Sequence, residues 1–338
     1  MTMKRLINDP YDVVEEMVEG YVKAHDRYVK MCDMEEAQGR VVVAKDAGTK
    51  DKVGVVIGGG SGHEPLFIGY VGENFADGVV IGNINTSPSP DPCYAAAKAV
   101  DNGKGVIYLY GNYAGDVMNF DMGAEKADEE DDIRVETVLV TDDVVSSENI
   151  PDRRGIAGDF FVFKAAGAKA AMGADLDAVV AAASKCNDNT RSMGVAMSSA
   201  TLPSKGGPIF DMEDGDMEIG MGIHGEPGVR RGKIEPADAV IDEIMDPILK
   251  DLPYESGDEV YVLVNSLGAT PILDLHICYR RVAQILEEKG IKVHRALVGP
   301  FACSMDMAGM SVTLCKLDDE LKELLDYPCD TPYFTQVK

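Results

Sequence analysis

The run Val53-Gly54-Val55-Val56-Ile57 leads without a polar break into Gly58-Gly59-Gly60-Ser61-Gly62-His63. A short apolar segment rich in β-branched residues reads as a strand buried on both faces. Such strands belong to parallel sheets covered by helices. The signal returns at 79–84, 106–110 and 135–140, with helical periodicity between at 90–100 and 117–126. This alternation predicts an α/β layer fold. A long helix over Tyr11 to Met31, with Asp9-Pro10 as cap and first-turn pair, precedes it. Another is predicted over about 155–172.

At 338 residues the chain is long enough for two domains. An alanine-rich helix over 175–186 is followed by the polar stretch Asn187-Asp188-Asn189-Thr190. The boundary is placed there, giving domains 1–186 and 187–338. The second half predicts strands at 193–199, 217–223, 260–265, 292–298 and 311–317, with helices at 236–249 and 271–289. Two α/β domains are therefore expected, each a mixed sheet with flanking helices.

A net charge of -26 repels phosphate backbones and anionic bilayers, which sets nucleic acid and membrane surfaces aside as partners. The acidic run 125–132 reads as the solvated end of a helix. The seven cysteines form no Cys-x-x-Cys pair, and an odd number in a long chain argues against a disulfide framework. They read as small buried hydrophobes. Met1-Thr2-Met3-Lys4-Arg5 leads into no apolar segment, and no apolar run reaches membrane-spanning length, so a cytoplasmic protein without a leader is expected.

Three constellations carry possible chemistry. The first is the glycine-rich stretch ending at His63. It lacks the Lys-Ser/Thr of a phosphate loop, and from Gly58 and Gly60 the third position of a dinucleotide fingerprint is His63. A tight turn alone would explain the glycines. A histidine beside exposed backbone amides can also take or give a proton. The second is Gly111-Asn112-Tyr113-Ala114-Gly115-Asp116, directly after the strand at 106–110. Ligands sit beyond the carboxyl ends of strands in such sheets, so these two stretches share a rim. Asp116 serves equally well as the cap of a helix starting at Val117.

The third is Gly220-Met221-Gly222-Ile223-His224-Gly225-Glu226-Pro227-Gly228. A neutral imidazole flanked by glycines is an accessible nucleophile for a carbonyl carbon. It is equally compatible with a turn histidine, and Glu226 either orients the ring or faces solvent. His25, His276 and His294 lie in helix or strand patterns and read as structural. No histidine or acidic pair has metal-ligand spacing, and no Gly-x-Ser-x-Gly elbow is present.

Together the segments Gly-Gly-Gly-Ser-Gly-His-Glu-Pro at 58–65, Gly-Asn-Tyr-Ala-Gly-Asp at 111–116 and Gly-Ile-His-Gly-Glu-Pro-Gly at 222–228 resemble the substrate-binding subunit of dihydroxyacetone kinases. Lys4–Asp9, Thr86-Ser87-Pro88, Arg153-Arg154-Gly155, Asn265–Pro271 and Ser304–Met307 agree in order along essentially the whole chain. The resemblance implies a homodimer and a small ketose held as a hemiaminal on His224. It implies that Gly60, Ser61, Gly62, His63, Gly111 and Asp116 line the substrate, with His63 or Asp116 taking the proton of the hydroxyl to be phosphorylated. It implies no cofactor on this chain. ATP or ADP with magnesium is expected on a separate helical nucleotide-bearing subunit, recharged in some systems by a phosphotransferase-system phosphocarrier. A ligand-sensing paralogue without catalysis is the alternative, though the presence of both His63 and Asp116 favours catalysis.

One departure stands out. Many members carry lysine and threonine where this chain has Gly111 and Ala114. The lost volume and the lost cation leave room for a somewhat longer neutral ketose, such as the four-carbon erythrulose, as a second substrate reading.

Overall fold

The computed structural model describes residues 5–337, so the reading that no leader lies at Met1–Lys4 falls outside the described residues. These residues form two compact α/β units, each built on a mixed six-stranded sheet with flanking helices, as expected. Neither unit is continuous in sequence. The first comprises 5–140, 161–186 and 321–337; the second comprises 141–160 and 187–320.

This division departs from contiguous halves meeting at 186/187, and hydrogen bonds give the reason. Ser192 N–H donates to Asp142 O (2.8 Å) and Val144 N–H donates to Ser192 O (3.1 Å), so residues 142–144 join the sheet of the second unit. In the first unit, Lys164 Nζ donates to the backbone oxygens of Leu324 (3.2 Å) and Tyr327 (2.6 Å), holding the C-terminal segment.

The first unit contains β1 (Val29–Met31), β2 (Val41–Ala44), β3 (Gly54–Ser61), β4 (Gly78–Ile84), β5 (Val106–Gly111) and β6 (Val135–Val140), in the sheet order β1-β2-β4-β3-β5-β6. The four strands from β3 to β6 run parallel; β1 and β2 add an antiparallel edge. The first helix, α1 (Val13–Ala24), stops well short of Met31. His25 O accepts from Tyr28 and Val29, and the chain then pairs with Val41-Val42-Val43-Ala44, so tertiary pairing overrides the helical pattern.

Helices α2 (Pro90–Val100) and α3 (Ala114–Asp131) bury Cys93, Ala96, Ala97 and Phe120 against Val56, Val80, Val106 and Tyr108. A fully buried Val or Phe among them contributes about 1.5–3 kcal/mol, and the smaller alanines less. The acidic end of α3 is exposed at Asp128, Glu129 and Glu130. All seven cysteines are free thiols, and five are buried.

The second unit contains β7 (Thr190–Ala196), the short ribbon β8 (Thr201–Leu202) and β9 (Gly207–Pro208), β10 (Asp216–Ile219), β11 (Arg230–Lys233), β12 (Glu259–Ser266), β13 (Lys292–Gly299) and β14 (Gly309–Leu317). Its main sheet has the order β11-β10-β7-β14-β12-β13, with only β12 and β13 parallel. Period-two alternation turns Val260, Val262 and Val264 of β12 and Met310, Val312 and Leu314 of β14 into one cluster. It is completed by Ile241, Ile244 and Ile248 from Ala237–Asp251 and by Leu275 and Val282 from Ile272–Glu288. Among the described residues no helix is long and apolar enough to cross a membrane.

Candidate functional site

The glycines before His63 belong to β3 itself and do not form a turn after it. Their register against β4 shifts between Gly59 and Ser61, which marks a bulge. The reason for glycine is close approach. A Cβ on Gly58 would lie 2.6 Å from Val80 O, and one on Gly60 would lie 2.7 Å from Thr86 N. Ser61 Oγ donates to Gly82 O (2.8 Å), and Asn85 N–H donates to Ser61 O (3.0 Å). The chain turns at Gly62, whose N–H donates to the Glu64 carboxylate (3.0 Å), and this turn delivers His63, which is buried.

Asp116 is not the helix cap. The helix starts three residues earlier than expected, with Tyr113 at the N-cap, and Asp116 lies buried in the first turn of α3, where a carboxylate meets the positive end of the helix dipole. Burial pushes the Cys93 thiol of α2 up, and the charge of Asp116 adds to it. β3 and β5 are parallel neighbours, so His63 and Asp116 lie beyond the carboxyl ends of adjacent strands. The loop Thr86-Ser87-Pro88 completes this rim. Asn119 Nδ2 donates to Pro88 O (2.7 Å) and Ser87 Oγ (3.2 Å), and the Ser87 side chain leaves 3.3 Å for a Cβ at Gly115. Gly111 is buried as the last residue of β5, whereas Ala114 is exposed.

His224 belongs to the second unit. The strand expected over 217–223 ends at Ile219, because Gly220 turns the chain with φ +78°. Met221 and Ile223 are nonetheless buried. They anchor the loop in an apolar cluster with Ile156, Leu267 and Met307 and leave His224 half-buried between them and solvent. Glu226 orients the ring, although its side chain is still 30% exposed. Its Oε2 accepts the His224 backbone N–H (3.0 Å) and its Oε1 lies 3.1 Å from His224 Nδ1. With a carboxylate on Nδ1, the neutral ring carries its proton there and keeps its lone pair on Nε2. Burial pushes the Glu226 carboxyl up. The bond and charge of His224 and the charge of Arg154 outweigh it and bring it down to about 2.

Gly222 is required beside this pair, since a Cβ there would lie 2.2 Å from Glu226 Oε2. A cavity of about 940 Å³ opens alongside, lined by Ser198, Phe210, Met212, Arg231 and Asp306 among others. The Phe210 ring comes within 2.6 Å of where a Gly225 Cβ would stand, so the cavity wall reaches the histidine loop.

The rim of the first unit thus brings together Gly60, Ser61, Gly62, His63, Gly111 and Asp116, and the second unit supplies His224 with Glu226. Sequence reasoning passed over Arg154 and Asp143, which stand behind Glu226. Arg153-Arg154 carried a signal as a shared stretch, but Asp143 carried none. Asn265 proves architectural: its Oδ1 accepts from Phe301 N (2.8 Å) and Ala302 N (2.9 Å).

A two-unit α/β protein with a glycine-bulged strand rim in one unit and a carboxylate-oriented imidazole in the other has the make-up of a small-molecule-binding protein. The chain belongs to the Dak1 domain family, which its residues 19–333 match, and so to the dihydroxyacetone kinase group that its motifs resemble. It is 62% identical over 332 residues to the dihydroxyacetone-binding subunit of PTS-dependent dihydroxyacetone kinase 2 of Listeria innocua, covering 98% of this chain and 99% of that protein. It is 43% identical to the L-erythrulose 1-kinase of Mycolicibacterium smegmatis, covering 98% of this chain but 58% of that longer protein. The crystal structure of the dihydroxyacetone kinase of C. freundii superposes with a TM-score of 0.88 at 30% identity, over 99% of this chain and 61% of that one.

Proposed function

We propose that this chain is the dihydroxyacetone-binding subunit of a dihydroxyacetone kinase, a phosphotransferase with an alcohol acceptor, active only with a nucleotide-bearing partner. The observation that carries the reading is the His224–Glu226 pair, in which the carboxylate oxygen 3.1 Å from Nδ1 favours the tautomer whose Nε2 is the nucleophile. Nε2 attacks the ketose carbonyl carbon as the carbonyl π electrons move to oxygen. The addition leaves a negative oxygen and a positive ring; the oxygen takes one proton from solvent and Nδ1 releases one to solvent past Glu226, so the hemiaminal forms without net change of charge. A small polyol offers little area for noncovalent affinity, and a bond to its carbonyl carbon supplies what contacts cannot. It also excludes glycerol, which has no carbonyl.

In this reading Gly60, Ser61, Gly62 and Gly111 line the substrate, and His63 or Asp116 takes the proton of the terminal hydroxyl as it attacks phosphorus. ATP or ADP with magnesium resides on the helical partner, since transfer needs the donor phosphates held in line with the acceptor. The similarity to a subunit named PTS-dependent supports a phosphocarrier as the source of the phosphoryl group. The working form is a cytoplasmic homodimer. A second reading, a kinase subunit for erythrulose, is favoured by the buried Gly111 and by the 43% identity to an erythrulose kinase.

The test uses dihydroxyacetone labelled with ¹³C at the carbonyl carbon. On binding, its resonance is expected to move from the ketone to the tetrahedral region. A bound ligand that keeps its ketone signal would refute covalent capture. The pure chain with ATP and magnesium is expected to form no sugar phosphate, and product formation on adding a partner subunit assigns the activity.

A further inference from the structure

Behind the His224–Glu226 pair stands a second pair of charges that the proposed reaction does not use. Arg154 NH1 lies 3.8 Å from Glu226 Oε2, while its Nε and NH2 both donate to Asp143 Oδ2 at 3.0 and 2.8 Å. The Asp143 side chain is 2% exposed and that of Arg154 15%. Asp143, Arg154 and Glu226 form a row of alternating sign that leads from the protein interior to the histidine ring.

A carboxylate beside an imidazole has two opposed effects. Accepting Nδ1–H selects the tautomer whose Nε2 is nucleophilic. Its negative charge also favours the imidazolium, which has no lone pair to give. A carbonyl nucleophile needs the hydrogen bond without the full charge. We propose that Arg154 is a positioning residue for His224, offsetting the charge of Glu226 so that the ring stays neutral, and that Asp143 fixes the guanidinium in the orientation that does so.

The geometry supports each part. Two donors of Arg154 are committed to Asp143, which turns NH1 toward Glu226. Gly222 keeps the intervening space clear, since a Cβ there would lie 2.6 Å from Arg154 NH1 as well as 2.2 Å from Glu226. The neighbouring charges are engaged elsewhere. Asp142 accepts the amides of Ile156 and Gly158 (both 2.8 Å). Glu218 accepts the amide of Gly228 (2.7 Å) and a bond from Arg231 Nε (2.7 Å). Arg153 turns away to Asp251. Burial raises the Asp143 carboxyl to about 6 against the pull of Arg154, so its charge is kept at neutral pH.

The inference rests on His224 as the nucleophile, and two readouts separate the questions. The first is the titration midpoint of the His224 ring in the ligand-free chain, followed by ¹⁵N NMR. The second is the pH dependence of adduct formation with carbonyl-¹³C dihydroxyacetone. Arg154→Ala is expected to raise the midpoint by about one pH unit or more. The adduct profile should move by the same amount toward alkaline pH, with full amplitude regained there. Arg154→Lys, which keeps a charge, is expected to restore most of the midpoint. Should Arg154→Ala not fold, Arg154→Met with Asp143→Asn removes both buried charges together and is expected to show the same shift. An unchanged midpoint, or an adduct reduced equally at every pH, would overturn the inference while leaving covalent capture standing. A shifted midpoint with no adduct in the wild type would uphold the control of the ring by Arg154 and overturn the hemiaminal alone.

Discussion

Oε1 of Glu226 lies 3.1 Å from Nδ1 of His224 while Oε2 of the same carboxylate accepts the backbone N–H of that histidine at 3.0 Å. One side chain therefore holds both the backbone and the ring of the residue two positions before it. The ring's orientation is set within five residues of chain, and the apolar anchors Met221 and Ile223 fix where those residues stand.

Replacing His224 with alanine removes the proposed nucleophile and part of the packing of a side chain that is 23% exposed. Affinity for dihydroxyacetone is expected to fall by a hundredfold or more, about 2.7 kcal/mol. The melting temperature should change by only a few degrees. Calorimetric titration and thermal unfolding of the same samples check both halves.

Asp116→Asn keeps the shape of the first turn of α3 and removes the carboxylate. The ¹³C adduct signal should persist while phosphoryl transfer with the partner drops by about two to four powers of ten. Transfer at the wild-type rate would remove Asp116, and with it the idea of a base at this rim position, from the reaction.

The buried carboxylates make stability depend on pH in two opposite ways. Burial raises Asp143 to about 6 from an ordinary 3.8, so between about pH 4 and 6 the folded chain holds a proton that the unfolded chain has lost. Stability falls as pH rises through that window. Glu226, at about 2 against an ordinary 4.5, contributes stability that is present above about pH 4.5 and lost as pH falls toward 2. Urea unfolding across this range should show the fall between about pH 4 and 6, and Asp143→Asn should flatten it by on the order of 1–3 kcal/mol.

Lys164 gives a third window. Burial lowers its ammonium to about 8 from 10.5, so the unfolded chain binds more protons between those values and stability rises with pH across them. The expected slope is at most about 1.4 kcal/mol per pH unit. Lys164→Met should abolish the slope, and its persistence in that variant would assign it to another group.

The choice of ketose turns on Gly111 and Ala114. The buried Gly111 ends β5, whereas Ala114 faces solvent, so only the first of the two departures changes an interior position. With the same partner, dihydroxyacetone is expected to be preferred over erythrulose by about a hundredfold in kcat/KM. Equal efficiencies would instead support an enlarged pocket.

Strands β4, β5 and β6 and helix α2 lie within a residue of where period and capping place them, because each is a periodic segment bounded by glycine, proline or a polar turn. Legibility fails where partners are distant. β1 has three residues, and only its pairing with β2 makes it a strand. Met221 and Ile223 mimic strand alternation, but the positive φ of Gly220 ends β10, and their burial comes from loop packing. Histidines 63 and 224 and Asp116 were visible as residue types in glycine-rich settings. The role of Glu226 was open until its geometry was known. Arg154 and Asp143 lie more than seventy residues before it in sequence, and only the fold shows that they stand behind its carboxylate.

The discontinuity of the two units sets an order of completion during synthesis. The first unit's sheet, residues 29–140, emerges from the ribosome first. The segment that Lys164 holds, 321–337, emerges after every part of the second unit. The second unit has all its residues once position 320 is made, so it can close before the unit that started earlier. A nascent chain that has emerged as far as residue 320 should therefore carry a finished His224 loop while its N-terminal sheet still lacks its closing segment, and it is that sheet that chaperones would have to shield.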